Sequence, residues 1–207
     1  MCNAIFSSSS IYKRLCKSAV IDFWENKLRQ EAAILPSLSS VFNPSFHSLC
    51  NPHPLLWTPG GNPHEVSKAV VQCKMLSGRY PTALLTKHWT SNNSDGSCSA
   101  PSCNEVPESL EHILLWCPMY QETREKISRL WLSTTDPVLL QLLVSILEGP
   151  TSCLLQFILD PSIHPTIISI CQAHGNEILK RVFHLSRTWC FAIHKERTKK
   201  QGSWKFP

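Results

Sequence analysis

Three cysteines and one histidine lie close together in the middle of this chain, at Cys98, Cys103, His112 and Cys117. Their spacing is C-x4-C-x8-H-x4-C, in a segment otherwise rich in serine, asparagine and proline. Three thiolates and one imidazole complete a closed tetrahedral zinc shell, which leaves no position for a catalytic water. The quartet therefore predicts one structural Zn²⁺ per chain. The alternative is four ordinary core residues, since free cysteine is among the most buried residue types.

The second half of the quartet needs a particular backbone path. His112 and Cys117 are five residues apart, which on a continuous α-helix places them about 140° apart around the axis. A helix alone therefore does not bring both side chains to one metal. Pro118 disfavours the α conformation for the residue before it, so we expect a helix that begins near Pro107 to end at about Trp116 and Cys117 to turn back.

The composition bears on the compartment. Ten cysteines in 207 residues are compatible with a secreted disulfide scaffold, but the first residues lack the basic stretch and the apolar run of a signal peptide. We therefore expect an intracellular protein of the nucleus or cytoplasm, where a cysteine cluster usually binds metal. The most apolar segment, residues 138–147, is too short for the roughly 20 residues of a bilayer span. No membrane partner is expected.

Apolar periodicity predicts a mostly α fold, with a helical domain built around the small Cys3His site, an N-terminal helix and a long basic C-terminal helix. We find no convincing alternating strands. The predicted organisation is an N-terminal helical segment (1–35), a Pro-rich connector (36–63), a zinc-binding helical module (64–133), a C-terminal helical region (134–200) and a tail (201–207).

Individual helices have their own signals. A helix over residues 12–33 is expected to turn Leu15, Ala19 and Phe23 toward a core. Asn62 and Gly78 are the expected cap and stop of a second helix. Its expected apolar stripe is Val66, Ala69, Val70, Cys73 and Leu76. Residues 138–147 read as a buried helix, and the long C-terminal helix has the stripe Ile178, Val182, Leu185, Trp189 and Ile193.

The positive charge is concentrated at the C-terminus. The formal net charge is +5, but residues 180–207 alone carry eight basic residues and one acidic residue. Basic residues interleaved with aromatic ones suit a nucleic-acid strand, because cations neutralise phosphates and rings stack on bases. A solvated helix face followed by a loop explains the same residues. The candidate binding residues are Lys74, Arg79, Tyr80, Lys87, Trp89, Lys195, Arg197, Lys199 and Lys200.

Two runs of this sequence resemble a known family. The first begins at Leu76-Ser-Gly-Arg-Tyr80 and continues, beyond the cysteine pair, through Glu108-Ser-Leu-Glu-His112-Ile-Leu-Leu-Trp-Cys117-Pro-Met-Tyr120 to Thr123-Arg124. It is similar to the zinc-binding segment that follows the reverse transcriptase in non-LTR (LINE-type) retrotransposon proteins. The tail Arg187-Thr-Trp-Cys-Phe-Ala-Ile-His-Lys-Glu-Arg197 also looks like the end of such proteins. The resemblance implies that the Cys-Cys-His-Cys quartet holds zinc and helps a polymerase engage element RNA or target DNA.

The departures from that family bear on activity. A reverse transcriptase needs an adjacent Asp-Asp pair, and the four aspartates here are all isolated. The chain also lacks a Gly-rich phosphate loop and a G-x-S-x-G nucleophile motif. We therefore expect no enzymatic activity. The expected function is binding of RNA or DNA with weak sequence specificity, by a chain that looks like a detached C-terminal portion of a retrotransposon reverse transcriptase protein. The alternatives are a protein-interaction module that uses residues 138–147 and the C-terminal helix, or the non-functional product of a decayed element.

Overall fold

The computed structural model describes residues 3–35, 38, 53–56, 62–87, 95–174 and 176–201. These residues form helices and short turns; they include no β-strand, only an isolated antiparallel bridge between Ser97 and Pro107. The mostly α fold expected from the sequence is confirmed. The chain divides into two compact units, Met1–His53 and Pro54–Pro207.

The first unit contains helix α1 (Asn3–Ile34), which confirms the helix expected over residues 12–33 and begins earlier. Its apolar side chains do not face a core: Leu15 and Phe23 are each 61% exposed, and Trp24 is 50% exposed. The expected core-facing stripe is therefore wrong. This single helix makes up most of the described residues of its unit, and one helix cannot enclose its own apolar face.

The second unit is built from helices and one-turn connections. Within the described residues, its α-helices are α2 (Pro63–Leu76), α3 (Ala83–Thr86), α4 (Gln121–Leu132), α5 (Pro137–Leu147), α6 (Thr151–Leu159), α7 (Pro165–His174) and α8 (Asn176–Gln201). A π-helix covers His112–Trp116. Short 3₁₀ turns cover Pro54–Leu56, Pro101–Cys103, Pro118–Tyr120 and Pro161–Ile163.

Part of the expected Pro-rich connector belongs to the core of the second unit. Leu55 is fully buried, and Arg187 of α8 donates hydrogen bonds to the carbonyl oxygens of Pro54 (3.3 Å) and Leu55 (3.1 Å). This part of the connector, Pro54–Leu56, is therefore held against α8, because a buried guanidinium satisfies its carbonyls. The connector residues 36, 37, 39–52 and 57–61 lie outside the described residues, as do 202–207 of the expected tail.

Both ends of α2 follow the sequence signals. The Asn62 side chain accepts a 2.9 Å hydrogen bond from the backbone N–H two residues further on, and Pro63 occupies the first helical position. At the other end Gly78 has φ +65°, and the N–H of Arg79 donates to the carbonyl of Lys74 at 2.8 Å. This closing pattern requires a left-handed residue, which glycine supplies without strain.

The buried face of α2 differs from the expected one. Val66 and Val70 are 39% and 47% exposed, whereas Gln72 is fully buried. The Gln72 amide donates to the Ile158 carbonyl at 3.0 Å and to the Ser186 hydroxyl at 2.9 Å. These bonds pair the amide nitrogen of Gln72 inside the core, so the buried face of α2 is centred on Gln72 and not on Val66 and Val70. The buried residues of α2 are Lys68, Ala69, Val71, Gln72 and Met75.

Helix α8 is the central element of the second unit, against which α2, α4, α6 and α7 pack. Its expected stripe is confirmed, with Leu185 only partly buried. Trp189 of this stripe lies 4.8 Å from Trp131 between ring centroids, and Trp131 lies 5.4 Å from Phe157. One hydrophobic core therefore contains residues of both the 64–133 and the 134–200 segments.

The apolar segment at 138–147 is the buried helix that was expected. Asp136 caps it by accepting hydrogen bonds from the N–H groups of Val138 (3.0 Å) and Leu139 (3.2 Å). Its core residues are Leu139, Leu142, Leu143 and Ile146. In the described part of the chain, no helix is both long enough and apolar enough to cross a bilayer.

Candidate metal centre

The first two cysteines of the quartet lie in a tight loop. The N–H of Cys98 donates to the carbonyl of Val106 at 2.8 Å, and the N–H of Val106 donates to the carbonyl of Cys103 at 3.0 Å. Asn104 and Glu105 have φ angles of +43° and +65°, a left-handed pair that folds the chain back on itself. The loop therefore points both sulfurs to the same side.

A π turn brings the other two members together. The described helix begins at Leu110, later than the expected start near Pro107, and changes at once to the π-helix His112–Trp116. The N–H of Cys117 donates to the His112 carbonyl at 2.7 Å, which is the i→i+5 bond of a π turn. This wider turn places Cys117 directly above His112. The end of the helix at Trp116 therefore does not by itself explain how the two side chains meet.

The four side chains form one cluster. The sulfur of Cys117 lies 3.7 Å from that of Cys98 and 3.8 Å from that of Cys103, and Nε2 of His112 lies 3.4 Å from the Cys103 sulfur. All four ligand atoms lie within 4.8 Å of one another. A tetrahedral site with ordinary zinc bond lengths has edges of about 3.8 Å between sulfurs and about 3.5 Å between sulfur and nitrogen. The cluster can therefore hold a metal ion.

Burial shifts the protonation equilibria of the cluster toward neutral side chains. Burial raises the pKa of the Cys98 thiol to about 12 and also raises the pKa of Cys117. Burial lowers the pKa of His112, which keeps its imidazole neutral and able to donate a lone pair. Apolar surroundings thus disfavour thiolates, and a bound cation supplies the charge that stabilises them.

Backbone amides support two of the sulfurs. The N–H of Ala100 hydrogen-bonds to the Cys98 sulfur, and the N–H of Met119 hydrogen-bonds to the Cys117 sulfur; each bond counters part of the pKa increase. In both cases the amide comes from two residues after the cysteine. Such bonds orient ligands around a metal in the same way as other outer-shell partners.

Two arginines form hydrogen bonds with residues in and beside the quartet. Arg124 donates to the carbonyl of Cys117 at 2.8 Å. Glu108, which is 2% exposed, accepts at 2.6 Å from Arg197 of α8 and at 2.7 Å from the N–H of Ala83. Arg197 also donates to the Pro81 carbonyl at 2.6 Å. The end of the metal-binding loop is therefore joined to α8 by a buried ion pair that has no sequence signal.

Two of the expected nucleic-acid contacts are internal. Tyr80 is 4% exposed and its hydroxyl lies 3.1 Å from Nδ1 of His194, while Arg197 is 2% exposed and paired with Glu108. Neither side chain has a free face for a base or a phosphate, so their assignment to a binding surface is wrong. Trp89 lies outside the described residues.

The other expected contacts lie at or near the surface. Lys200 is exposed, but its ammonium donates to the Met119 carbonyl at 2.7 Å and lies 3.3 Å from Glu196. Lys74 and Lys87 are partly buried. Arg79, Lys195 and Lys199 are exposed as well.

No family model, curated protein or solved structure matches this chain. The candidate site consequently rests on its own geometry: a Cys3His group of buried and partly buried ligands that can hold a metal ion.

Proposed function

We propose that this protein is a zinc-stabilised helical module that binds single-stranded RNA or DNA without catalysing a reaction. The observation that carries the proposal is the Cys3His cluster, whose four ligand atoms lie within 4.8 Å of one another in a helical unit with exposed cations. The resemblance to the zinc-binding segment of non-LTR retrotransposon proteins supports the same function. We also propose that this module acts together with a polymerase.

Zinc is the metal that suits the donor set best. Soft thiolates select Zn²⁺ or Cu(I), and the mixed sulfur and nitrogen tetrahedron is typical of structural zinc. The four protein ligands at Cys98, Cys103, His112 and Cys117 fill the shell, so no metal-bound water is available as a nucleophile. We therefore assign the metal a structural role.

The attraction for phosphate must come from residues around the centre. A divalent ion with three thiolates and a neutral imidazole carries a formal charge of about −1. Burial lowers the pKa of His194, and the charges of Arg197 and Lys74 lower it further. Lys74 of α2 therefore lies within electrostatic range of His194 in α8. Arg79, whose N–H bonds to Lys74, extends the cationic region at the end of α2.

Binding and its salt dependence test the proposal. We expect a short single-stranded oligonucleotide to bind at low salt, with an affinity that falls steeply as salt rises. Changing Arg79, Lys195 and Lys199 together to glutamine should weaken binding about tenfold or more and reduce the salt slope by about 2. Fluorescence anisotropy across a salt series measures both quantities.

A charge-matched control uses three exposed cations of α1. Lys13, Arg14 and Lys17 changed together to glutamine remove the same charge and should leave most of the affinity intact. An equal loss in both triple variants would show a non-specific charge effect. The absence of any binding by the unaltered protein at low salt would reject the proposed function.

A protein-interaction function is the second candidate, and α1 favours it. The two helices first expected to supply a partner surface, α5 and α8, use their apolar faces in the core. Helix α1 instead exposes Tyr12 (70%), Phe23 (61%) and Trp24 (50%), and exposed aromatic residues of this size mark interaction sites.

Self-association is the simplest test of this candidate. We expect light scattering after size-exclusion chromatography to give a discrete oligomer that becomes monomeric when Phe23 and Trp24 are changed to serine. The two serine substitutions lie in the first unit and should leave the zinc content unchanged. A monomer at all concentrations, with or without the substitutions, would count against self-association through α1.

A further inference from the structure

Trp116 is the only exposed tryptophan, tyrosine or phenylalanine among the described residues of the second unit, with 56% of its surface accessible. It is the last residue of the π-helix between the ligands His112 and Cys117. Its indole Nε1 lies 3.4 Å from a carboxylate oxygen of Glu111. The indole ring is therefore large and accessible, and its backbone is fixed between His112 and Cys117. A fixed ring loses little conformational entropy when a base stacks on it.

A groove of about 460 Å³ lies beside Trp116. Most of its lining is apolar, contributed by Leu115, Leu132, Leu147, Leu154 and Trp189 beside Trp116 itself. The wall formed by α4 adds the polar side chains, which are Gln121, Arg124, Glu125, Ser128 and Arg129.

The two arginines of this wall have different surroundings. Arg124 is half-buried and donates to the Cys117 carbonyl at 2.8 Å, so its guanidinium is held against the backbone beside the quartet. Arg129 is exposed, and its Nε donates to the backbone carbonyl of Glu125 at 3.3 Å. Arg129 therefore offers a cation to a ligand in the groove.

The geometry points to a nucleotide site in this groove, in which one base of a single strand stacks on Trp116 and an adjacent phosphate pairs with Arg129. This inference rests on the proposed function and assigns residues to it. A base has a flat apolar face for the indole and polar edges for the wall of α4, and a phosphate complements the arginine. An apolar peptide helix fits less well, because it would cover the guanidinium of Arg129 without supplying an anion to pair with it.

Substitution of the indole tests the stacking contact. Trp116→Leu should weaken binding of an oligonucleotide of about eight nucleotides by about tenfold or more, whereas Trp116→Phe should retain most of the affinity. Zinc content measured on each variant shows whether the neighbouring ligands still bind metal. Trp24→Leu removes an exposed tryptophan of α1 and is the matched control, with affinity expected to stay close to that of the unaltered protein.

The phosphate contact has a separate readout. Arg129→Gln should reduce the slope of affinity against salt by about 1. Lys126→Gln removes the same charge from an exposed position of the same helix that does not line the groove, and its slope should change less. Photocrosslinking with 5-bromouracil in the oligonucleotide should place the modified residue at Trp116, and this measurement needs no substitution.

The outcomes separate this inference from the proposed function. If the unaltered protein binds the oligonucleotide but Trp116→Leu and Arg129→Gln bind equally well, the nucleotide site is wrong and the proposed function stands. If the unaltered protein binds no oligonucleotide, both fail. Binding of an amphipathic peptide that competes with the oligonucleotide at Trp116 would assign the groove to a protein partner and overturn the nucleotide site.

Discussion

Changing Cys103 to serine or His112 to alanine is expected to abolish stoichiometric zinc binding and to unfold the loop around the metal. Each substitution removes one of four ligands, and binding free energy supplies folding free energy in small metal sites. We expect a loss of more than about 4 kcal/mol of unfolding free energy for the metal-bound protein. Mass spectrometry for metal content and urea unfolding measure the two effects.

Hydrogen exchange locates the change within the molecule. The amides of Cys98, Val106 and Cys117 close the metal-binding loop and the π turn, so they should lose protection in either variant. Amides of α5 and α8 should keep more of theirs, since their core of leucine and tryptophan side chains lies outside the ligand set.

A cysteine outside the cluster supplies the control. Cys171 of α7 is partly buried and not a member of the quartet, so Cys171→Ser should keep one zinc per chain. Intact protection and full stability in Cys103→Ser or His112→Ala, without bound metal in the unaltered protein, would return the quartet to ordinary core residues.

The second large effect is expected from the buried ion pair between Glu108 and Arg197. Both side chains are at most 3% exposed, and their atoms approach to 2.6 Å. Removing one partner of a buried pair leaves an uncompensated charge, so Glu108→Gln and Arg197→Met should each cost about 3–5 kcal/mol. Urea unfolding of the two single variants and the double variant measures these costs and the coupling between the residues.

The double variant distinguishes a pair from two independent contacts. It should be less destabilised than the sum of the single variants by about 0.5–3 kcal/mol, because neither charge is then left alone. Lys199→Met changes an exposed cation of the same helix and should alter stability by less than about 0.5 kcal/mol. Additive costs in the double variant would contradict a direct interaction between Glu108 and Arg197.

The same comparison bears on nucleic-acid binding. Arg197 lies among the basic residues of the C-terminal segment, where the sequence predicts phosphate contacts. Its guanidinium instead donates hydrogen bonds to Glu108 and to the Pro81 carbonyl. Any loss of affinity in Arg197→Met should therefore follow the loss of folded protein, whereas the loss for the exposed Lys195 and Lys199 should occur in fully folded protein.

Features that depend on neighbours along the chain are predictable from the amino-acid sequence. Asn62, Asp136 and Gly78 fix helix ends through bonds within a few residues, and such signals are readable without a fold. The four residues that could hold a metal ion were also recognisable, because three cysteines and a histidine at this spacing have few other uses.

Which polar residues are internal depends on the packing of distant parts of the chain. Polar residue types such as those of Gln72, Tyr80 and Arg197 are usually found at the surface, but these three are buried. Their hydrogen-bond partners lie 86 to 114 positions away in the sequence for Gln72, 114 for Tyr80 and 89 for Arg197. No periodicity encodes such pairings, and a buried polar group is stable only if the distant partner arrives with it. The exposure of Trp116 also depends on tertiary packing. The sequence places Trp116 next to Cys117, but only the position of α4 leaves its ring accessible to solvent.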